Sequence, residues 1–276
     1  MTRGRSAHLE LLDVAKIAGL LLIAVAAPVA AQTGAGSPDE RAAALEARMT
    51  DAERVRLLHS TFARPDRTGK PLPDGAIVSA SFTAGIPRLG IPALRETDAS
   101  LGVAWVNGLR HDGATALPSS LSLASTWDRE VARRGSAQIA KEARAKGFNV
   151  FLAGGVNLAR EPRNGRNFEY LGEDPLLAGT LAGETVRAIQ AAHMISTVKH
   201  FALNPQETGR NVVNSRLSDA AAHDSDLLAF KIAIEIGQPG AVMCAYNRYN
   251  GPHACQSRYL LADVLKGEWH FPGFVM

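Results

Sequence analysis

The stretch Ile195-Ser-Thr-Val-Lys-His-Phe-Ala-Leu-Asn204 decides how the rest of the chain is read. Ile195 to Val198 is a short β-prone run. It delivers two cationic or titratable residues, Lys199 and His200, and then Phe201. Asn204-Pro205 breaks the strand. A strand that carries Lys and His to its C-terminal end and stops at a loop suits an α/β barrel, whose active sites collect at that face. Taken alone, the same pair suits an ordinary strand end at the solvent boundary. Its surroundings favour the barrel.

Outward from this strand, apolar runs and helical stripes alternate. Upstream, Pro87 to Leu94 leads into a strand followed by Arg95-Glu96-Thr97-Asp98, whose carboxylates are either solvated or ligand groups. A Gly/Pro-containing loop, His111 to Ser120, precedes a helix opened by Trp127-Asp128. That helix is predicted to run to about Lys146, with Val131, Ile139 and Ala143 inward and Gly147 as its stop. Phe148 to Leu152 is the next strand. It ends at Ala153-Gly154-Gly155, where glycines permit close backbone approach. The segment Asn157 to Tyr170 is rich in Arg and Glu. It is either a self-satisfied loop or a set of planar donors for sugar hydroxyls or a carboxylate. Glu173-Asp174-Pro175 starts a helix to about Ala192.

Downstream, Ser218-Asp219 caps a helix predicted to reach Gly237. Ala241 to Tyr246 is a strand, Tyr259 to Trp269 a helix, and Phe274-Val275-Met276 the start of another strand. Nearer the N-terminus, Glu40 to Ser60 reads as helix broken at Thr50, with Thr50 and Glu53 as a capping box. Such alternation implies parallel strands with right-handed crossovers. Polar residues at the strand ends favour a (β/α)8 barrel of TIM type, incomplete at the C-terminus, over a doubly wound sheet. The expected division is a signal segment at 1–31, a linker with helical and loop lead-in at 32–84, and a partial barrel at 85–276.

Composition excludes several classes. The formal charge is only +3 over 276 residues, and the arginines are interspersed with acids, so there is no nucleic-acid footprint. The eight His and two Cys show no metal-binding spacing. No Gly-x-Gly-x-x-Gly or Walker motif opens a helix, so no nucleotide cofactor is expected. Cys244 and Cys255 flank one loop. They are either bridged locally or left as one buried and one loop thiol.

Arg3, Arg5 and Lys16 precede the apolar run Ile17 to Ala27, and Pro28-Val-Ala-Ala31 supplies small residues for cleavage. That is the pattern of a secretory signal. The run is shorter than the roughly 20 residues of a comfortable membrane span. Glu10 and Asp13 fit the signal poorly, and a non-cleaved anchor is the alternative. The expected destination is the periplasm or beyond, with no stable span after processing.

Several motifs occur in one order. They are Gly165-Arg-Asn-Phe-Glu-Tyr170, Gly172-Glu-Asp-Pro175, Val198-Lys-His-Phe201, Asn204-x-Gln-Glu-Thr-Gly-Arg210, Val242-Met-x-x-Tyr-Asn247 and Gly273-Phe-Val-Met276. From about Arg88 onward the chain resembles glycoside hydrolase family 3, especially its β-glucosidase-like members. The resemblance implies a retaining glycosidase acting on a β-glucoside or β-linked oligosaccharide. It also implies that Asp98, Arg166, Lys199 and His200 hold the innermost sugar, with Arg210 and Tyr246 at positions flanking the nucleophile. The chemistry of these residues agrees. Asp98 accepts from sugar hydroxyls, Lys199 and Arg166 donate to them, and His200 does either.

Family members continue from Gly-Phe-Val-Met into Ser-Asp-Trp, whose Asp is the nucleophile. The acid/base is usually a Glu on a second α/β domain. Retaining hydrolysis needs two carboxyls roughly 5–5.5 Å apart. No catalytic residue is therefore assigned within this sequence, and the nucleophile is expected just beyond Met276. The expectation is a fragment inactive alone, lacking its C-terminal domain. A non-catalytic sugar-binding remnant and β-xylosidase specificity are the alternatives. The β-N-acetylglucosaminidase branch is disfavoured, because Ala202 to Gly209 contains no His.

Overall fold

The structure is a computed structural model that describes residues 36–65 and 69–276. The chain divides into two units, residues 1–44 and 45–276. The signal segment expected at 1–31 lies outside the described residues. Among the described residues no helix is long and apolar enough to cross a membrane.

In the first unit, Glu40 and Ser37 exchange hydrogen bonds at the start of α1 (Pro38–Glu46), a helix with no buried residue. The helix breaks near Thr50, as expected. Within the second unit, Thr50 caps α2 (Asp51–Leu57), and the Glu53 carboxylate accepts from the Thr50 backbone N–H at 2.8 Å.

The second unit is built on one mixed sheet of seven strands. β1 (Thr61–Phe62) and β2 (Ser81–Thr83) pair antiparallel, and β2 pairs antiparallel with β3 (Leu94–Asp98). From β3 onward every neighbour is parallel, through β4 (Val150–Leu152) and β5 (Ile195–Phe201). β6 (Asn214–Ser215) leaves this sheet to form a separate parallel ladder with β8 (Arg248–Tyr249), while β7 (Ala241–Cys244) and β9 (Phe274–Val275) complete it. Helices fill the crossovers. They are α3 (Ser120–Ala124) and α4 (Arg129–Ala145), then α5 (Pro175–Ala191), then α6 (Asp219–His223) and α7 (Asp226–Gly237). The helix Tyr259–Glu268 follows β7. This is an open α/β barrel wall with its helices on one face. β4 is buried throughout and β5 nearly so, as parallel strands covered on both faces must be.

Two expectations need correction. The strand predicted to begin near Pro87 starts only at Leu94. Pro87–Leu89 makes a tight 3-10 turn ended by Gly90 at φ 70°, and Pro92 has no N–H for a ladder. Arg95 to Asp98 is therefore strand rather than the loop after it. The helix predicted from Ser218 to Gly237 is two helices, because the Ser225 hydroxyl donates to the Ala221 carbonyl at 2.6 Å and turns the chain. The helix from Tyr259 is wound wider than α, with the Trp269 N–H reaching the Val264 carbonyl. The strands β1, β2, β6 and β8 are two or three residues long and leave too short a pattern to read. Cys244 and Cys255 are bridged, with Cα atoms 5.2 Å apart, so the loop after β7 is tied back onto the strand.

Helices α5 and α7 meet through glycines. A Cβ on Gly183 would lie 2.6 Å from Ile236 Cβ, and one on Gly237 2.5 Å from Val186 Cβ. Alanine would favour the helix over glycine by about 1 kcal/mol. Overpacking of this kind costs about 1–3 kcal/mol, and two branched Cβ atoms cannot rotate aside. The clash should win. Gly183→Ala is expected to lower the urea midpoint, with a net loss of up to about 2 kcal/mol. An unchanged or higher midpoint would show that the two helices can separate freely.

Candidate functional site

Side chains from four loops and strand ends meet above β3, β4 and β5. Asp98 is the last residue of β3. Lys199, near the end of β5, is 2 % exposed. Its Nζ lies 3.4 Å from Asp98 Oδ1 and 3.2 Å from Glu169 Oε2. Strands two apart in a flat sheet lie about 9.5 Å apart. Contact between β3 and β5 side chains therefore reflects the curl of the sheet as well as the reach of lysine.

Arg166 closes the cluster. Its Nε bonds the Glu169 carboxylate, its second terminal nitrogen donates to His200 Nε2 at 2.9 Å, and the first lies 3.7 Å from Glu207 Oε1. Arg210 donates to Glu207 Oε2 at 2.7 Å and stands 4.7 Å over the Tyr246 ring. Ser100 donates to Glu169 at 3.3 Å. The cations Lys199, Arg166 and Arg210 thus face the carboxylates Asp98, Glu169 and Glu207.

Local structure explains why adjacent residues, Lys199 and His200, both enter this cluster. Strand alternation would send them to opposite faces. The pairing of β5 with β7 shifts register between Lys199 and Phe201, and such an irregularity re-aims side chains. Asn157, fully buried, fixes the result. Its amide donates to the His200 carbonyl at 3.0 Å and its oxygen accepts from the His200 N–H at 2.9 Å. Gly155 lets the Glu169 backbone approach, since a Cβ there would sit 2.6 Å from the Glu169 carbonyl oxygen.

The electrostatics sort the titratable groups. Burial alone would raise the Glu169 pKa, but the charges of Lys199 and Arg166 outweigh it and hold the carboxyl below its ordinary range. Burial, reinforced by Lys199, Arg166 and Arg210, pushes His200 well below 6.5. The imidazole is therefore neutral at pH 7. Its Nε2 accepts from Arg166, which assigns the proton to Nδ1, 3.2 Å from the Tyr170 hydroxyl. Both ring nitrogens are thus occupied by protein groups. Donors and acceptors remain elsewhere. Arg166 has spare N–H groups beyond its bonds to Glu169 and His200, Lys199 has a third ammonium hydrogen, and the Asp98 side chain is 56 % exposed.

The structure thus brings together Asp98, Arg166, Lys199 and His200, and joins Arg210 and Tyr246 to them through Glu207. Sequence reading gave no defined place to Glu207, Tyr170, Asn157 or Ser100. The spacing of three between Arg166 and Glu169, and between Glu207 and Arg210, is a usable signal for ion pairing. Nothing in the sequence marks Asn157 or Ser100. Among the described residues there is no grouping of His, Cys, Asp and Glu able to hold a metal ion.

Residues 74–276 match the family described as glycosyl hydrolase family 3 N terminal domain. A β-glucosidase of Bacteroides ovatus is 42% identical over 200 residues, covering 70% of this chain and 27% of its own. A thermostable β-glucosidase B of Acetivibrio thermocellus is 37% identical over 201 residues, with the same coverage. The chain therefore spans about a quarter of the length of the curated relatives it matches. Among solved structures, β-glucosidase 3B of Thermotoga neapolitana in complex with glucose superposes with TM-score 0.79 at 36% identity, covering 86% of this chain and 33% of that one. DesR, a β-glucosidase of Streptomyces venezuelae in complex with D-glucose, gives TM-score 0.76 at 35% identity, covering 86% and 28%.

Two outcomes are expected from the cluster. Glu169→Gln leaves Lys199 and Arg166 buried without their shared counter-charge, and breaking such a buried pair costs about 3–5 kcal/mol. Urea unfolding should show a loss of that order, and a loss within error would mean the cluster relaxes. The His200 pKa is depressed on folding, so the unfolded chain takes up its proton first as pH falls. Its stabilisation is complete above 6.5 and declines below it, by up to about 1.4 kcal/mol per pH unit. Comparing unfolding at pH 7.5 and 5.5 should show a shallower decline in His200→Gln than in the parent, and equal slopes would refute the assignment. Glu169 acts on a lower window, its contribution being held above 4.5 and lost as pH falls through its depressed folded value.

Proposed function

The chain belongs to glycosyl hydrolase family 3, and from that premise we propose that its barrel end grips the terminal glucose of a β-glucoside as part of a β-glucosidase. One observation carries the reading. Spare donors on Lys199 and Arg166 and a half-exposed acceptor on Asp98 lie in one cluster, with their charges balanced. Vicinal hydroxyls each need a donor and an acceptor, which this pairing supplies. In this reading Asp98 accepts from two hydroxyls, and Lys199 and Arg166 donate. In this reading His200 acts on the sugar through its neighbours. With both nitrogens engaged, it positions Arg166 and Tyr170.

The described carboxylates suit binding better than turnover. A general acid must hold a proton near neutral pH, and Glu169 is kept ionised by its two cations. Glu207 is shared between Arg166 and Arg210. We therefore assign the sugar grip, rather than the nucleophile or the acid/base, to this segment. The bridged Cys244 and Cys255 support a working place outside the reducing cytosol, where such bonds persist.

Calorimetric titration of the chain with glucose should show weak binding, reduced about tenfold or more in Asp98→Ala, since hydrogen bonds to a charged group contribute about 1.5–3 kcal/mol each. The same chain should not hydrolyse aryl β-glucosides. Turnover by it would overturn the assignment of the carboxylates, and binding that survives Asp98→Ala would overturn the grip.

A further inference from the structure

Among the described residues four acids are buried, and three of them are paired with cations. Glu169 meets Lys199 and Arg166, Glu184 meets Arg129 and Arg187, and Asp226 meets Arg160. Glu96 is the exception. It is 3 % exposed, and its carboxyl has one hydrogen-bond partner, the Ser81 hydroxyl. A buried carboxylate without a counter-charge is costly, and such a group avoids the cost by keeping its proton.

The groups around Glu96 supply no cation. Glu96 and Asp98 are two apart on β3 and share a face of the sheet. Across the ladder, Glu96 stands opposite Ser81 on β2 and Val150 on β4, neither of them charged. Arg95 belongs to the other face, where its Nε donates to the Gly75 carbonyl at 2.6 Å. Lys199 is engaged by Asp98 and Glu169. The charge that acts on Glu96 is therefore that of Asp98, and it has the same sign. Burial raises the Glu96 pKa above its ordinary range, the Ser81 hydroxyl offsets part of that rise, and the Asp98 charge adds to it.

We propose that Glu96 is a proton-binding residue coupled to the sugar at Asp98, so that glucose binds with uptake of a proton from solvent at the Glu96 carboxyl. This rests on the carbohydrate reading above and deepens it. With Glu96 neutral, Lys199, Arg166 and Arg210 balance Asp98, Glu169 and Glu207. With Glu96 ionised, an uncompensated negative charge sits beside Asp98. A sugar settling on Asp98 displaces the water that screens the two carboxylates, and their repulsion grows as the local dielectric falls. Binding therefore favours the protonated acid, and by reciprocity the protonated acid favours binding. Affinity falls as pH rises through the Glu96 range. Protonation of His200 would act in the opposite sense, since an imidazolium repels Arg166.

The test is calorimetric titration of the full chain with glucose at pH 5.5, 6.5 and 8, each in two buffers of different ionisation enthalpy, which reads the protons taken up. The parent should bind about three- to tenfold more weakly at pH 8 than at pH 5.5, with proton uptake between them. Glu96→Gln, the isostere of the protonated acid, should bind equally across the series with no uptake. Ser81→Ala removes the donor that favours the anion, so the fall in affinity should move to higher pH, a shift that a packing defect would not produce. If glucose binds the parent equally across the series, or if Glu96→Gln keeps the parent's trend, the coupling is wrong and the sugar grip stands. If glucose binds at no pH, both are wrong.

Discussion

An ammonium group buried to 2 % exposure must be neutralised or surrounded by opposite charge. Lys199 is surrounded. Glu169 and Asp98 stand within 3.4 Å of it, and Arg166 holds Glu169 from the other side. Desolvating these ions costs several kcal/mol each, so the cluster persists only because each member is met by a partner at contact distance. The requirement for balance explains why the cluster is built from both signs of charge.

The scaffold serves this balance. Curvature of the parallel sheet lets β3 and β5 side chains meet across β4. The irregular pairing of β5 with β7 puts His200 beside Lys199 rather than behind it. Gly155 admits the Glu169 backbone, and Asn157 takes up both polar groups of the His200 backbone. Outside, α5 and α7 approach through glycines, and Phe201 is boxed by Phe230 and Trp269 at edge-on centroid distances of 5.1 and 5.8 Å. The apolar layer therefore fixes the strand end that also carries the charges.

His200 shows how burial converts a titratable residue into a structural one. Its neighbours are cationic, so it stays neutral and accepts from Arg166. A protonated imidazole in the same place would oppose the guanidinium it now orients. The consequence is that His200 accepts from Arg166 while Asn157 holds the His200 backbone.

Alternation of strands and helices and the helix starts at Thr50, Asp128 and Asp174 were legible in the sequence alone, and the resemblance singled out Asp98, Arg166, Lys199 and His200. Caps and periodicity act over a few residues, and charged groups at strand ends stand out from an apolar background. Motif order made the family legible for the same reason, since each motif is a short contiguous run. Long-range pairing left no such trace. That Arg166 reaches His200 across 34 positions, that Asn157 locks the His200 backbone, that Ser225 splits one helix into two and that Cys244 meets Cys255 were decided by the tertiary structure. Those choices follow from sheet curvature and close packing, which depend on the whole chain at once.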